Sequence, residues 1–251
     1  MEQRVRPVLR VFPTLERATV ELERTLLETA QGSVAARGSF RVALSGGNTP
    51  RGLYSRWGAE PPSRFPWEHT EIYFGDERAV GPRSPQSNYR MARETLLSRA
   101  PLPREAIHRI VTEGRTPAQA AREYARIVRP RKDREPFFDV VLLGIGSDGH
   151  TASLFPGARA LEERKRWVVP VPHAGHEPFV PRITLTLPAL ASSNHVCFLV
   201  AGEDKSPVVA RILGPRARPG PDRPASLVRS AGSVEWYLDA AAASGLPSSP
   251  P

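Results

Sequence analysis

The chain has 251 residues, of which 40% are hydrophobic, and it carries a formal net charge of +9 at pH 7. A chain of this size can bury a substantial core, so we expect a single α/β domain over residues 1–243 rather than two domains. The basic residues are spread along the whole chain, and only three of the 35 are lysines. An arginine-rich composition explains this charge without a polyanion, so we expect no nucleic-acid partner, although the charge favours a phosphorylated substrate.

The single cysteine, Cys197, lies within an apolar run and cannot form an internal disulfide. Such a residue is typical of a core thiol in a reducing compartment. Residues 1–7 lack the apolar segment of a signal peptide, and no apolar stretch is long enough to span a membrane. We therefore expect a cytoplasmic protein with no membrane partner.

Strand-like and helix-like patterns alternate along the chain. The strand predictions cover residues 8–12, 40–44, 71–74, 107–111, 139–143, 167–171, 183–187 and 195–201. The helix predictions cover residues 14–36, 87–98, 117–128 and 206–213, and Thr14 is the predicted cap of the first helix. This alternation is typical of an α/β fold with a mainly parallel sheet covered on both faces. Proline-rich segments at 60–67, 81–86, 170–181 and 214–224 are predicted loops, and residues 244–251 a disordered tail.

A turn of small and polar residues follows the strand predicted at residues 40–44. It consists of Ser45, Gly46, Gly47, Asn48 and Thr49. Pro50 can begin a helix, and the amide and hydroxyl groups at a helix start bind anions, so this turn is a candidate phosphate site. A plain tight turn explains the same residues equally well. Ser45 is not expected to be a hydrolase nucleophile, because Ala43 replaces the first glycine of Gly-x-Ser-x-Gly.

Three charged residues end the next predicted strand: Asp76, Glu77 and Arg78. They could orient a sugar hydroxyl or a catalytic group, and the forked guanidinium of Arg78 suits an oxyanion. The alternative is a solvated turn with local ion pairs, which the segment by itself favours.

The strand predicted at residues 139–143 leads into the glycine-rich segment 144–149, which ends directly before His150. This segment matches the dinucleotide fingerprint G-x-G-x-x-G and follows a strand. Its position in mid-chain and the early stop at Pro156 argue against a dinucleotide, because no full helix follows to receive the pyrophosphate. An imidazole in such a loop is better explained as a group that takes a proton from water and returns it.

Two cations flank later strands and could add charge to a bound phosphate. Arg182 precedes one predicted strand, and Lys205 follows another at the start of a helix. Shortly before Arg182, His173, His176 and Glu177 offer two imidazoles and a carboxylate. Gly175 and the nearby prolines exclude a helical H-E-x-x-H zinc site, which leaves only a loop zinc site as an open alternative, and we predict no metal.

Five segments resemble the 6-phosphogluconolactonase family: residues 43–50, 75–78, 87–91, 144–157 and 182–188. They occur in order across nearly the whole chain, and Gly-His-Thr-Ala-Ser-Leu-Phe-Pro, residues 149–156, is the most specific. The resemblance implies a three-layer α/β/α fold with a mainly parallel, Rossmann-like sheet of the glucosamine-6-phosphate deaminase type. It also implies that the enzyme needs no cofactor.

The resemblance further implies hydrolysis of 6-phospho-D-glucono-1,5-lactone to 6-phospho-D-gluconate in the oxidative pentose phosphate pathway. In this assignment His150 is the general base, and Asp76 and Arg78 act beside it. The implied substrate-binding residues are Ser45, Gly46, Gly47, Asn48, Thr49, Gly146, Asp148, Arg182 and Lys205. The implied partner is a small phosphorylated sugar lactone, bound by a monomer or a weak homo-oligomer.

The closest rival is a glucosamine-6-phosphate deaminase, because the two activities share this fold. Deaminases typically have Phe-Asn-Glu-Pro where this chain has residues 153–156, Ser-Leu-Phe-Pro, and Asp-Glu-Tyr where it has Asp76, Glu77 and Arg78. Both differences favour the lactonase, although Ala79 and Gly81 depart from the usual lactonase loop. An NAD(P)-binding protein and a phosphosugar sensor without catalysis are the remaining alternatives.

Overall fold

A six-stranded parallel sheet forms the centre of the molecule, and a three-stranded antiparallel sheet lies beside it. The structure is a computed structural model and describes residues 7–129 and 136–247. The prediction that residues 1–6 carry no leader, and the part of the predicted tail at 248–251, fall outside the described residues.

The described residues form nine strands and seven α-helices. The strands are β1 (Val8–Phe12), β2 (Phe40–Leu44), β3 (Thr70–Phe74), β4 (Asp76–Arg78), β5 (Phe138–Leu143), β6 (Val168–Val171), β7 (Arg182–Leu185), β8 (Ser193–Val200) and β9 (Ser233–Asp239). The helices are α1 (Leu15–Arg37), α2 (Arg51–Trp57), α3 (Asn88–Ala92), α4 (Pro117–Ile127), α5 (Leu187–Ala191), α6 (Ser206–Leu213) and α7 (Ala240–Ala243).

The central sheet has the strand order β1-β9-β8-β5-β2-β3, and all of its pairs are parallel. The strand β5 is buried along its whole length, as expected for the middle of a parallel sheet with both faces covered. The predicted α/β fold with a mainly parallel sheet is confirmed. Among the described residues, no helix is both long and apolar enough to cross a membrane.

Local sequence signals explain where the longer helices begin and end. The hydroxyl of Thr14 accepts the N–H of Arg17 at the start of α1, and Gly38 ends this helix in the left-handed conformation. Thr116 and Gln119 form a reciprocal capping box at the start of α4. The predicted helix at 87–98 begins as α3 and continues as a π-helix over Arg93–Leu97.

Two predicted strands, 167–171 and 183–187, do not join the central sheet. They form β6 and β7, which pair antiparallel with each other, and β7 also pairs antiparallel with β4. These two strands therefore lie outside the mainly parallel sheet that the alternation predicts. The connection between β6 and β7 contains no helix, so the chain turns back into an antiparallel pair instead of crossing over.

Three further details differ from the sequence prediction. The predicted strand 107–111 is reduced to one bridge between Ile107 and Ile72. The strand β9 was not predicted, although it pairs with both β1 and β8. In the segment predicted as a disordered tail, Ser244 hydrogen-bonds to Ser206 and Leu246 packs against the core, so order extends beyond the predicted boundary at residue 243.

Candidate active site

The candidate site lies at the carboxyl edge of the central sheet, where β2 and β5 end side by side. In the central sheet, β2 is followed by β3 on one side of the pair. The next central strand after β5 is β8, which lies on the other side. When the connections after two neighbouring parallel strands go to opposite sides of the sheet, a crevice forms at the carboxyl ends of these strands. Open α/β sheets bind ligands in such a crevice. The loops after these two strands are the predicted phosphate turn and the glycine-rich loop that carries His150.

The imidazole of His150 is oriented by Asp148. Its Nδ1 lies 2.6 Å from Oδ1 of Asp148, and the backbone N–H of His150 donates to the same oxygen at 3.0 Å. Because a carboxylate only accepts hydrogen bonds, the neutral tautomer that fits this contact has its proton on Nδ1 and its free lone pair on Nε2. Burial raises the pKa of Asp148, but its hydrogen bonds with His150 outweigh burial and hold that pKa below its usual value. The structure pairs Asp148 with the imidazole, and its contact with substrate stays a prediction.

The glycine-rich loop is shaped to hold this pair. The N–H of Gly146 donates to the carbonyl of His150 at 2.9 Å and closes a tight turn. A Cβ at position 146 would lie 2.0 Å from Nδ1 of His150 and 2.6 Å from Oδ1 of Asp148, so only glycine fits. The ring of Phe155 packs on the imidazole with 4.7 Å between ring centroids. The glycine spacing therefore accommodates an imidazole and a carboxylate, in place of the suggested dinucleotide.

The buried carboxylate of Asp76 connects three segments of the site. Its Oδ1 accepts from Nδ2 of Asn88 at 3.0 Å, and its Oδ2 accepts from Oγ of Ser153 at 2.5 Å. Ser153 follows His150 by three residues, and its own N–H donates to Oγ1 of Thr184 at 3.1 Å. Asp76 is thus joined to the loop that carries His150, and its predicted role beside this base stays a prediction.

The neighbouring Glu77 is also buried and organises the start of α3. Its carboxylate accepts the N–H groups of Asn88 and Tyr89, each at 2.8 Å, and the hydroxyl of Ser87 at 3.0 Å. Burial raises the pKa of Glu77, and the backbone donors oppose this effect. Since Asp76 and Glu77 are both buried, the alternative of a solvated turn with local ion pairs is wrong.

Arg78 lies at the end of β4 beside these carboxylates. Its Nη1 donates to the carbonyl of Gln86 at 2.6 Å, which ties it to the loop before α3. Its Nε is buried and has no hydrogen-bond partner among the described residues. The guanidinium is therefore held in place with part of its donor capacity unused.

Arg182 is buried, and its recorded hydrogen bonds all go to backbone carbonyls. They reach Pro178 at 2.8 Å, Val180 at 3.2 Å and His176 at 3.3 Å. Burial lowers the pKa of this guanidinium, while the charge of Asp76 acts in the opposite direction. The sequence predicted a phosphate anchor before a strand. The structure makes Arg182 the first residue of β7 and bonds its guanidinium to the proline-rich loop beside the site, and its role as a phosphate anchor stays a prediction.

The predicted phosphate turn is fixed at one end and open at its tip. The phenol oxygen of Tyr54 receives the N–H of Ser45 at 2.9 Å and donates to the Ser45 carbonyl at 2.8 Å. Gly46 follows and lies against Asn88, Gly47 and Asn48 are exposed, and Thr49 is half-buried. This arrangement leaves the tip of the turn accessible to a ligand.

Lys205 reaches the same edge of the sheet from the carboxyl end of β8. Its Nζ pairs with the carboxylate of Asp204 at 3.0 Å. Val208, three residues further along in α6, has its Cγ2 3.6 Å from where a Cβ on Gly149 would lie. The start of α6 therefore packs on the loop that contains His150.

A second imidazole lies next to the first. The rings of His150 and His176 are 5.4 Å apart between centroids, and Nδ1 of His176 lies 2.9 Å from the carbonyl of Glu177. Over residues 7–129 and 136–247, no group of three or more His, Cys, Asp or Glu side chains is arranged to hold a metal ion. His176 is thus a neighbour of the candidate base, in a loop that the sequence suggested only as a zinc site.

The structure connects three predicted site residues, Gly46, Asp76 and His150, through contacts that sequence reasoning did not identify. Gly46 contacts Asn88, Asn88 binds Asp76, Asp76 binds Ser153, and Ser153 lies in the loop with His150. The connecting residues Asn88 and Ser153 lie in segments that carry the family resemblance. However, nothing in the sequence itself showed that their side chains point toward Asp76.

Comparisons with known proteins agree with this geometry. The family model described as "Glucosamine-6-phosphate isomerases/6-phosphogluconolactonase" matches residues 13–236. A 6-phosphogluconolactonase from Nostoc sp. is 38% identical over 232 residues, which cover 91% of this chain and 92% of the relative. The solved 6-phosphogluconolactonase of Trypanosoma brucei is 30% identical, with a TM-score of 0.80 over 95% of this chain and 98% of that one.

A solved monomeric glucosamine-6-phosphate deaminase has the same fold. It is 20% identical, with a TM-score of 0.79 over 95% of this chain and 99% of that one. This chain belongs to the glucosamine-6-phosphate isomerase/6-phosphogluconolactonase family.

Proposed function

We propose that this protein hydrolyses 6-phospho-D-glucono-1,5-lactone to 6-phospho-D-gluconate, the lactone-opening step of the oxidative pentose phosphate pathway. The observation that carries the proposal is the pair formed by His150 and Asp148, which leaves Nε2 of the imidazole as a free base in the crevice. Relatives named 6-phosphogluconolactonase that align with most of the chain support the choice of substrate.

In the proposed reaction, Nε2 of His150 takes a proton from a water molecule as the water oxygen attacks C1 of the lactone. A new C–O bond forms and the carbonyl becomes a tetrahedral oxyanion. The bond between C1 and the ring oxygen then breaks, and His150 returns the proton to the departing oxygen, which becomes the C5 hydroxyl. Asp148 acts through His150, because its carboxylate fixes the tautomer and stabilises the imidazolium.

The charged groups around His150 suit the other needs of this reaction. Arg78 has unused donor capacity for the oxyanion or the substrate, and the amide of Gly47 is a second candidate donor. The turn at Ser45–Thr49 and the ammonium group of Lys205 are the proposed phosphate-binding elements. Arg182, which stays a predicted phosphate anchor, also supports the site by holding the loop that carries His176.

We also propose that the enzyme acts on this small substrate without a cofactor or nucleic acid, in the cytoplasm, as a monomer or a weak homo-oligomer. The route of the proton through His150 needs no redox or group-carrying cofactor. Light scattering at several protein concentrations tests the oligomeric state.

The function is tested by acid release from freshly generated 6-phosphogluconolactone, corrected for spontaneous hydrolysis. A parallel assay measures ammonia release from glucosamine 6-phosphate. We expect the lactone alone to react, and ammonia release without lactone hydrolysis would establish the deaminase instead.

The assignment of the base is tested with the variant His150→Asn. Loss of a general base lowers the rate by about 10² to 10⁴. The matched control is His69→Asn, at an exposed histidine immediately before β3 at the opposite edge of the sheet. Full activity of His150→Asn would overturn the assignment.

A further inference from the structure

Asn88 is the first residue of α3, and it lies between the predicted phosphate turn and Asp76. Its Nδ2 donates to both the backbone carbonyl and Oδ1 of Asp76, each at 3.0 Å. Its backbone N–H is held by Glu77 at 2.8 Å. The side chain is buried, with 3% of the residue exposed. Bulk water therefore cannot replace the hydrogen bonds of the amide.

The orientation of this amide is determined by its partners. Nδ2 donates hydrogen bonds to two oxygens of Asp76. A carbonyl oxygen and an ionised carboxylate accept hydrogen bonds and cannot donate them. A flipped amide would place Oδ1 of Asn88 against these two oxygens and would lose both bonds. The amide nitrogen therefore faces Asp76, and Oδ1 faces away from it.

Oδ1 of Asn88 is pressed against the phosphate turn. A Cβ at position 46 would lie 2.0 Å from this oxygen and 2.4 Å from Cγ of Asn88, so the turn approaches the amide as closely as glycine allows. The oxygen is buried and has no hydrogen-bond partner in the part of the chain that the structure describes. Stability alone would favour a residue without this unsatisfied acceptor.

We propose that Asn88 is a positioning residue that holds the Asp76 carboxylate and the Gly46 turn at a set distance from each other. It donates to the carboxylate on one side and supports the turn on the other. This inference rests on the proposed function, because it assigns Asn88 to the same site. Among the described residues, Asn88 makes no hydrogen bond to His150, so we assign its effect on catalysis to the positions of Asp76 and the Gly46 turn.

The main test is a double-mutant cycle with Asn88→Ala and Asp76→Ala, measured as kcat and KM on fresh lactone. Misplacement of a group in the site lowers kcat, and we expect Asn88→Ala to lose about 10- to 100-fold. In the Asp76→Ala background, the same substitution should lower kcat by a clearly smaller factor, because the carboxylate it positions is gone and only its support of the turn is lost. Equal losses in both backgrounds would overturn the proposal.

The matched control is Asn194→Ala. Asn194 also donates to an aspartate, Asp139 at 3.4 Å, but both lie near the amino ends of β8 and β5, at the opposite edge of the sheet. We expect this variant to keep the wild-type kcat. A loss equal to that of Asn88→Ala would show a general effect of removing an asparagine, and it would overturn the proposal.

A second variant, Asn88→Asp, keeps the size of the side chain and serves if Asn88→Ala does not fold. It places two carboxyl groups together, which can share a proton at low pH but repel each other when both are ionised. The other titratable groups near Asp76 are Tyr54, Glu77, Arg78 and Arg182, and all of them are present in the wild type as well. The activity of Asn88→Asp relative to the wild type should therefore fall as pH rises.

A relative activity of Asn88→Asp that is constant with pH would contradict the positioning role. Wild-type protein without lactonase activity would refute the proposed function instead, so the two failures are distinguished by the wild-type measurement. Melting temperatures of all variants separate loss of fold from loss of position.

Discussion

Oγ of Ser153 donates to Oδ2 of Asp76 at 2.5 Å, and this contact joins the small antiparallel sheet to the loop that carries His150. Asp76 belongs to β4, whereas Ser153 follows the central strand β5. The two sheets therefore meet at a buried carboxylate beside the candidate base.

Replacing Ser153 by Ala should lower both stability and activity. The change leaves one oxygen of the buried Asp76 without its donor, which costs about 1–3 kcal/mol of unfolding free energy. The measurements are urea unfolding and kcat on fresh lactone. Ser193→Ala is the control, because Ser193 is equally buried and donates to Leu190 at 2.6 Å at the amino end of β8. It should lose stability but keep kcat, and unchanged kcat in Ser153→Ala as well would contradict this role.

Replacing Asp148 by Asn should lower kcat on the order of 10², because the imidazole loses the carboxylate that orients it. It should also change the acid dependence of stability. The pKa of Asp148 is lowered in the folded protein, so its contribution is present above the ordinary aspartate pKa of about 3.9 and is lost as pH falls through the folded pKa.

The difference in unfolding free energy between wild type and Asp148→Asn should therefore shrink as the solution is acidified below about pH 4. Urea unfolding at a series of pH values measures this difference. A difference that stays constant or grows toward acid would show that the Asp148–His150 hydrogen bond does not lower this pKa.

Replacing Arg182 by Lys should loosen the loop at residues 172–181. A lysine keeps the charge, but it cannot reproduce the planar fork that reaches three carbonyl oxygens. We expect a loss of about 1–3 kcal/mol in stability and faster proteolysis within the loop. The exposed Arg218 supplies the control Arg218→Lys, which should change neither quantity by a measurable amount. Protease resistance equal to wild type in Arg182→Lys would exclude the clamp.

Replacing Gly46 by Ala should disrupt the site, because its Cβ would lie 2.0 Å from Oδ1 of Asn88. Relief of such overlap moves the amide or the turn and costs about 1–3 kcal/mol. Gly32→Ala is the control: Gly32 lies within α1, and no heavy atom of the described residues would lie within 4 Å of its Cβ. That variant should gain about 0.5–1 kcal/mol from its higher helix propensity. Melting curves and lactone assays of both variants check the contrast.

The central sheet could be predicted from the sequence, whereas the small antiparallel sheet could not. The alternation of strands and helices predicted the parallel central sheet, because hydrophobic periodicity is a local property of each segment. The same periodicity does not tell which strands pair. Residues 167–171 and 183–187 therefore looked like further strands of the central sheet, although the helix-free connection between them produces an antiparallel pair with β4.

For the site, the loop of His150, the turn at Ser45–Thr49 and the family to which the chain belongs could all be predicted from the sequence. These features depend on glycines, strand ends and motifs that lie within a few residues of one another. The pairing of Asp148 with the imidazole, of Arg182 with loop carbonyls, and of Asn88 and Ser153 with Asp76 became visible in the folded structure. A side chain's hydrogen-bond partners depend on which distant segments pack against it. Composition and the spacing of motifs do not show which segments these are.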